Sequence, residues 1–406
     1  MKSYFDKETQ YMSIFKLELY PDEYQYQLIS SFIYANNIMY NEIIDLEKST
    51  YEEYLKGNVS DGFLGRFKIG PYISERKRND PFLNKIPLHI LRGGGFRAVD
   101  AYSYFFRHIN NKPTYKILNK YSLDGSYSVR ADRLHFINDH YIKTEGIATY
   151  IKTAPFNLDK NIHVYNPIIK RDTCNRIWLT FAYVKEKCTL DCPVTEPIGI
   201  DIGFRLDNKN TFVCSNGMIF CQPDTSVLEY NIGILDKKVH EDNIKIQEIA
   251  DSKNISFFDV GLSKAMLDRR MKLYSLYQRL HNIKDTFYKQ TISHIVKLNP
   301  KYIVIEELYT RQLEEINPFI DFEHVSVCQF RRLMENKCNQ YNIKLYIVDN
   351  KMYPSSKICS NCKSIYEINR CTDNYNCPVC GLRMNRDLNA AINLKNYPKD
   401  FLKLEL

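Results

Sequence analysis

A multidomain chain, part α/β and part β, is the fold class that this 406-residue sequence predicts. Three observations predict it. A block of short alternating strands runs from Ser126 to Lys187. After it, strand and helix candidates follow in the order strand, hairpin, helix, strand, helix, strand. Two Cys-x-x-Cys pairs then interrupt the chain just before its last helical run. The length allows two or three domains, each able to bury its own core.

The bulk numbers are those of a globular protein, with 44% hydrophobic and 26% charged residues and only 15 Gly and 15 Pro. No apolar run reaches the roughly 18 residues expected of a membrane span, and the polar start MKSYFDKETQYMS lacks the apolar core of a secretory signal. The expectation is a soluble cytoplasmic protein with no membrane partner. A net charge of +8 is compatible with a polyanionic partner, and 31 Tyr and 22 Phe interleaved with Lys and Arg can stack on unpaired bases. AT-rich codon usage produces the same composition. Twelve cysteines without a secretory leader point to a reducing compartment, where paired Cys-x-x-Cys motifs bind metal.

Along the chain, Ser13–Tyr20 alternates as a strand and stops at Pro21. A helix follows, with Leu28, Phe32, Ala35, Met39 and Ile43 on one face. A second helical stretch after Pro87 puts Leu91, Ala98, Tyr102, Phe105 and Ile109 in phase. It contains Gly93, Gly94 and Gly95, each costing about 1 kcal/mol relative to Ala inside a helix. No Gly-Lys-Ser/Thr follows the triplet, so it predicts a break between helices or a close backbone contact, not a phosphate loop. The strand block includes RLHFIN, YIKT after the Asn138-Asp139 turn, and RIWLTFAYV, a pattern suiting a small barrel or sandwich.

From Ile198 onward the order becomes informative. Strands are expected at Ile198–Gly203, Thr211–Cys214 and Met218–Cys221, the last two joined by a turn at Ser215-Asn216-Gly217. A long helical region with Met266, Leu273, Leu276, Leu280 and Phe287 ends before Pro300. Then come an apolar strand, Tyr302–Ile305, running into Glu306; a helix with Val327, Phe330, Met334, Cys338 and Tyr341 on one face; and a strand, Lys344–Val348. An antiparallel hairpin extended by parallel crossover units is the order of an RNase H-type fold.

Cys359, Cys362, Cys377 and Cys380 form two knuckles separated by 14 residues. Each knuckle can set two thiolates on one turn, and two turns close a tetrahedral zinc site. Cys371 lies between them without a partner at metal spacing. Strand alternation puts Gly199, Asp201 and Gly203 on one face, where the glycines would leave room for a metal and a phosphate backbone. Glu306 ends a buried strand, where a charge is costly unless paired or metal-bound. Asp387 opens the helical run DLNAAINL, and its simplest reading is an N-cap. Singly, each acid reads more often as structural. Together, in this strand order, they fit a site for two Mg²⁺ ions and phosphodiester hydrolysis. Glu307 and Asp349 are rivals.

At these residues the chain resembles the TnpB family, the transposon-encoded relatives of the small type V CRISPR nucleases. The segments carrying the likeness are GIDIG at Gly199–Gly203, VIEEL at 304–308, FRRLMENKCNQYNIKLYIVDNKMYPSSKICSNC, and CPVCGLRMNRDLNAAINL. They look like the family's three RuvC motifs and its zinc ribbon. The resemblance implies catalytic, magnesium-holding acids at Asp201, Glu306 and Asp387 and zinc ligands at the four paired cysteines. It implies a first wedge-domain strand over 1–20, a helical recognition part over 21–120 and a β-rich wedge domain over 121–193. A RuvC-like nuclease would span 194–354 and 384–406, with an inserted zinc ribbon over 355–383. It further implies an RNA-guided endonuclease with a guide RNA and a target DNA as partners. The alternatives are a nuclease-inactive RNA-guided repressor, which loss of an acid would favour, and a type V CRISPR effector, which a neighbouring repeat array would favour. A zinc-dependent DNA-binding module and a strand-transferring transposase stand behind these. Oligomeric state is left open.

Overall fold

The computed structural model describes residues 6–107, 112–116, 125–158, 162–204, 210–255, 260–307, 327–366 and 374–404. Ile109 and Cys371 lie outside them. The chain divides into two units: Ser13–Val184 with Ile232–Leu276, and Met1–Met12 with Lys185–Asn231 and Tyr277–Leu406.

In the unit built on Ser13–Val184, strand β1 (Gln10–Tyr20) leads into helix α1 (Glu23–Leu55). A capping box starts α1: the Asp22 side chain accepts from the Gln25 amide at 2.8 Å, and the Gln25 side chain accepts from the Asp22 amide at 3.0 Å. The expected apolar face is inside, with Phe32, Ala35, Met39 and Ile43 buried. After α2 (Gly65–Asn79) and α3 (Pro81–Asn84), α4 (Leu88–Phe106) runs unbroken through the glycine triplet. Of the two sequence readings only the close contact stands. A Cβ on Gly94 would sit 2.2 Å from the Asn36 carbonyl oxygen of α1, so the missing side chain lets the two helices touch backbone to backbone.

The strand block gives β2 (Gly125–Ser128), β3 (His135–Asn138), β4 (Tyr141–Lys143), β5 (Ile151–Thr153), β6 (Val164–Arg171) and β7 (Ile177–Glu186). With β1 they make one seven-stranded sheet in the order β2-β6-β7-β1-β5-β4-β3. Its buried residues, including Leu17, Tyr127, Ile169 and Phe181, share a core with the helices.

The other unit is built on a five-stranded sheet ordered β10-β9-β8-β11-β12. Its strands are β8 (Ile198–Phe204), β9 (Asn210–Cys214), β10 (Ile219–Cys221), β11 (Tyr302–Glu307) and β12 (Lys344–Asp349). β8, β9 and β10 pair antiparallel, and β8, β11 and β12 pair parallel. The β9–β10 turn falls on Asn216-Gly217, with Gly217 at φ +86°. The long helical region is two helices, α5 (Ser226–Lys253) and α6 (Lys264–Lys297). Helix α7 is Val327–Gln340 and helix α8 is Arg386–Asp400.

Alternation then sorts the sheet's two faces. Ile198, Ile200, Ile202, Ile303 and Ile305 pack on one side with Phe287, Tyr288, Ile292 and Ile295 of α6 and Phe330 and Met334 of α7. Phe212 stacks on Phe330 with ring centroids 4.2 Å apart. Tyr302, Val304 and Val348 face the other way and pack with Leu394 of α8. Among the described residues no helix is long and apolar enough to cross a membrane.

Gly199 sits where α8 crosses β8. A Cβ there would lie 2.1 Å from the Ala391 oxygen and 2.3 Å from the Lys395 nitrogen. The room beside Gly199 is therefore filled by helix backbone, which corrects the reading that it is left for a metal and a phosphate. Gly199→Ala should lower unfolding stability by about 3 kcal/mol, the upper part of the overpacking range, because backbone on both sides must move. Denaturant unfolding checks this, and a loss below about 1 kcal/mol would contradict the contact.

Candidate active site and metal centre

Three carboxylates from distant parts of the chain meet on the face of the sheet that α8 covers. The parallel register sets Ile303, Val304 and Ile305 beside Ile198, Gly199 and Ile200. One residue further on, Glu306 comes beside Asp201. Both share the face of Gly199 and Val304, as alternation requires. Asp387 arrives from the helix. Ala391 lies against Gly199, and four residues back along α8 is about 6 Å of rise. Two residues along β8 is about 6.6 Å. Stepping back from Ala391 to Asp387 thus matches the step from Gly199 to Asp201.

Asp201 and Asp387 are buried and Glu306 is half-buried. Burial lifts the Asp201 carboxyl well above its ordinary range, the charges of Glu306 and Asp387 add to the lift, and Arg386 opposes it. Burial also pushes Glu306 up, to about 7, with its hydrogen bond to Asp201 opposing and Asp387 adding. Burial first, and negative charge gathered in one place second, thus favour keeping a proton on Asp201 or Glu306.

Asp387 is not the N-cap. Asn385 holds that position and accepts from the Leu388 amide at 3.0 Å. Asp387 stands in the first turn, where the helix dipole favours a carboxylate. Its oxygen lies 3.2 Å from a guanidinium nitrogen of Arg386, a cation that sequence reasoning passed over although it precedes the acid directly. The rivals have other occupations. Glu307 faces α7 and forms an ion pair with Arg331. Asp349 accepts from the Lys351 amide at 2.9 Å and serves the turn after β12.

The four cysteines also come together, their sulfurs within 4.8 Å of one another. Two cross-knuckle pairs, Cys359 with Cys380 and Cys362 with Cys377, are each 3.6 Å apart. Tetrahedral zinc with Zn–S bonds of about 2.3 Å needs sulfurs about 3.8 Å apart, so the cluster fits that ion. Both knuckles use the same backbone turn. The Cys359 amide donates to Ser364 O at 2.9 Å and its carbonyl accepts from Lys363 at 3.0 Å. The Cys377 amide donates to Leu382 O at 2.8 Å and its carbonyl accepts from Gly381 at 3.0 Å. Lys363 and Gly381 both take positive φ, +62° and +73°. Although burial opposes it, the Cys380 amide and the Ser364 hydroxyl pull the Cys377 thiol down to about 5, favouring the thiolate that binds metal. Among the described residues this is the one group of three or more His, Cys, Asp or Glu so close together.

The chain is similar to several known proteins. Residues 328–394, which hold α7, β12, both knuckles and Asp387, match the family model of the Cas12f1-like TNB domain. A Streptomyces pristinaespiralis protein with the provisional name RNA-guided DNA endonuclease is 22% identical over 392 residues, 94% of this chain and 88% of the relative. A solved structure, the Cas12f1 chain in a cryo-EM complex with sgRNA and target DNA, covers 92% of this chain and 83% of its own. Its TM-score is 0.54 at 14% identity. The chain is similar to Cas12f1 and to the Streptomyces relative. It shares the Cas12f1 fold over nearly its whole length, and the Cas12f1-like segment contains the cysteine cluster and one of the three acids.

Metal analysis of the purified chain should find one zinc, and Cys377→Ser should lose it together with the local fold. A chain that folds unchanged without zinc would contradict the fit. The carboxylate pair makes a second prediction. Between the ordinary glutamate value of 4.5 and about 7, the folded protein holds a proton that the unfolded chain has released. Stability without divalent cations should therefore fall as pH rises through that window, and Mg²⁺ should restore it. Denaturant midpoints at several pH values check the sign, and a rise across the window in Mg²⁺-free buffer would overturn it.

Proposed function

We propose that this chain is an RNA-guided DNA endonuclease whose cutting site is formed by Asp201, Glu306 and Asp387. The observation that carries the proposal is their convergence from three separate segments onto one face of one sheet, in a fold shared with Cas12f1. The strand order, a hairpin extended by two parallel crossovers, supports reading this sheet as an RNase H-type (RuvC) nuclease fold.

The donor set suits Mg²⁺. The acids are all oxygen ligands, burial and then neighbouring negative charge raise two of them, and a divalent cation would offset the cost of ionising them there. Three such carboxylates on one face suit a pair of ions flanking a scissile phosphate. Magnesium there would supply Lewis-acid stabilisation of charge on a phosphodiester. The chain's own part is positioning. β8 and β11 fix two carboxylates through their hydrogen-bond ladder, and α8 brings the third on a helix pressed against the strand.

The same likeness supports a guide RNA and a target DNA as partners, with pairing reading the sequence. We assign residues 21–120 to recognition, 1–20 and 121–193 to the wedge domain, 194–354 and 384–406 to the nuclease, and 355–383 to the zinc ribbon. Phe67, 98% exposed between Arg66 and Lys68, suits stacking on an unpaired base. A nuclease-inactive repressor is not favoured, since all three acids are in place. Within this kinship we place the chain with the transposon-encoded nucleases.

Replacing Asp201, Glu306 or Asp387 by Ala should cut the cleavage rate by about 1,000-fold or more, some 4 kcal/mol of transition-state stabilisation. Guide and target binding should stay near the parent's, because they rest on remote contacts. Glu307→Ala removes a half-exposed ion pair and should leave cutting within a few-fold of the parent. Cleavage and binding assays on the four variants check this. Parent-like cutting by all three acid variants would defeat the assignment.

A further inference from the structure

Helix α8 is held from two opposite sides. Asp387 and Ala391 look toward the sheet. Asn389 and Asn393 lie two and six residues beyond Asp387, about 200° and 240° around the helix, on the side away from it. Both asparagines are fully buried. The Asn389 amide donates to Ile358 O at 2.8 Å and accepts from the Ser360 amide at 2.9 Å. It therefore grips the backbone on both sides of Cys359. Asn393 donates to the same Ile358 carbonyl at 2.6 Å and to Ser355 O at 3.0 Å. Tyr353, leading into this segment, donates its hydroxyl to the Asn393 carbonyl at 3.1 Å. Further along the helix, Lys363 just past Cys362 pairs with Asp400 at 2.6 Å.

We propose that Asn389 and Asn393 are positioning residues that couple the cysteine cluster to the carboxylate cluster, so that zinc occupancy sets where Asp387 stands. Zinc closes the first knuckle and fixes the carbonyls of Ser355 and Ile358 and the amide of Ser360. The asparagines transmit that fixed frame to the helix, and the helix, pinned against Gly199 on its other side, can place Asp387 beside Asp201 in only one way. Without zinc the knuckle backbone loosens and the buried amides lose their partners, at a cost that favours movement of the helix over leaving them unsatisfied. A ribbon that merely stabilised the unit would need no side chains reaching across from the helix that carries an acid.

The inference rests on the proposed role of Asp387 in holding Mg²⁺, and the test separates the two. In the full-length parent, amide hydrogen exchange of residues 386–394 should speed up at least ten-fold on chelation of zinc, while the amides of β11 change far less. This arm needs no variant. Asn389→Ala and Asn393→Ala should keep one zinc per folded chain, with a thermal midpoint lowered by the backbone partners left unsatisfied. They should nevertheless exchange faster over 386–394 and bind Mn²⁺, measured by calorimetry, at least ten-fold more weakly. Exchange over 386–394 that ignores zinc, or zinc-loaded variants that bind Mn²⁺ like the parent, would overturn the coupling. A parent that shows the exchange coupling but binds no Mn²⁺ and cuts no DNA would sink the functional reading while leaving the mechanical link established.

Discussion

The seating of α8 on the bare backbone of Gly199 is the contact on which the rest of the site depends. Glycine at this one position lets a helix lie closer to a strand than any side chain would allow. That closeness brings an acid from the last part of the chain to within interaction range of acids on two strands that precede it by about 80 residues and more. The same helix presents its far side to the first cysteine knuckle. A single short element thus touches both the carboxylate cluster and the cysteine cluster.

The carboxylate cluster is costly to build. Three acids in a place largely shielded from water would repel strongly if all were ionised, and the upward shifts of Asp201 and Glu306 record that cost. Arg386 offsets part of it from beside Asp387. A protein gains nothing in stability from such a cluster, since apolar side chains would pack there at lower cost. Its presence beside parallel strands is therefore an argument for function.

Much of this was legible in the sequence. Glu306 was singled out with Glu307 left as a rival, and the structure sends the first to the α8 face and the second to Arg331. The order of strands and helices along the nuclease-like part of the chain followed from periodicity and from the Asn216-Gly217 turn. Paired spacing found the four cysteines because thiolate geometry is local to each turn. What escaped depends on packing between segments. The glycine triplet in α4 gave no sign of whether it broke a helix or admitted Asn36, and Gly199 did not show that its neighbour would be a helix. Asn385 and Asp387 are both acceptable caps, and only the backbone at the helix start decides between them. Asn389 and Asn393 carried a signal that was passed over. Two asparagines four residues apart in an otherwise apolar helical run must find buried partners. One long helical region was read ahead of Pro300, yet periodicity did not divide it into α5 and α6 and cannot say that residues 232–276 group with the seven-stranded unit.

The most direct test of the account is a crystal of the protein grown with Mn²⁺ in place of Mg²⁺ and measured for anomalous scattering. The account predicts density within bonding distance of carboxylate oxygens of Asp201, Glu306 and Asp387, distinct from the zinc signal at the four cysteines. Manganese bound elsewhere, or a carboxylate cluster that stays empty at saturating Mn²⁺ while zinc fills the cysteines, would contradict it.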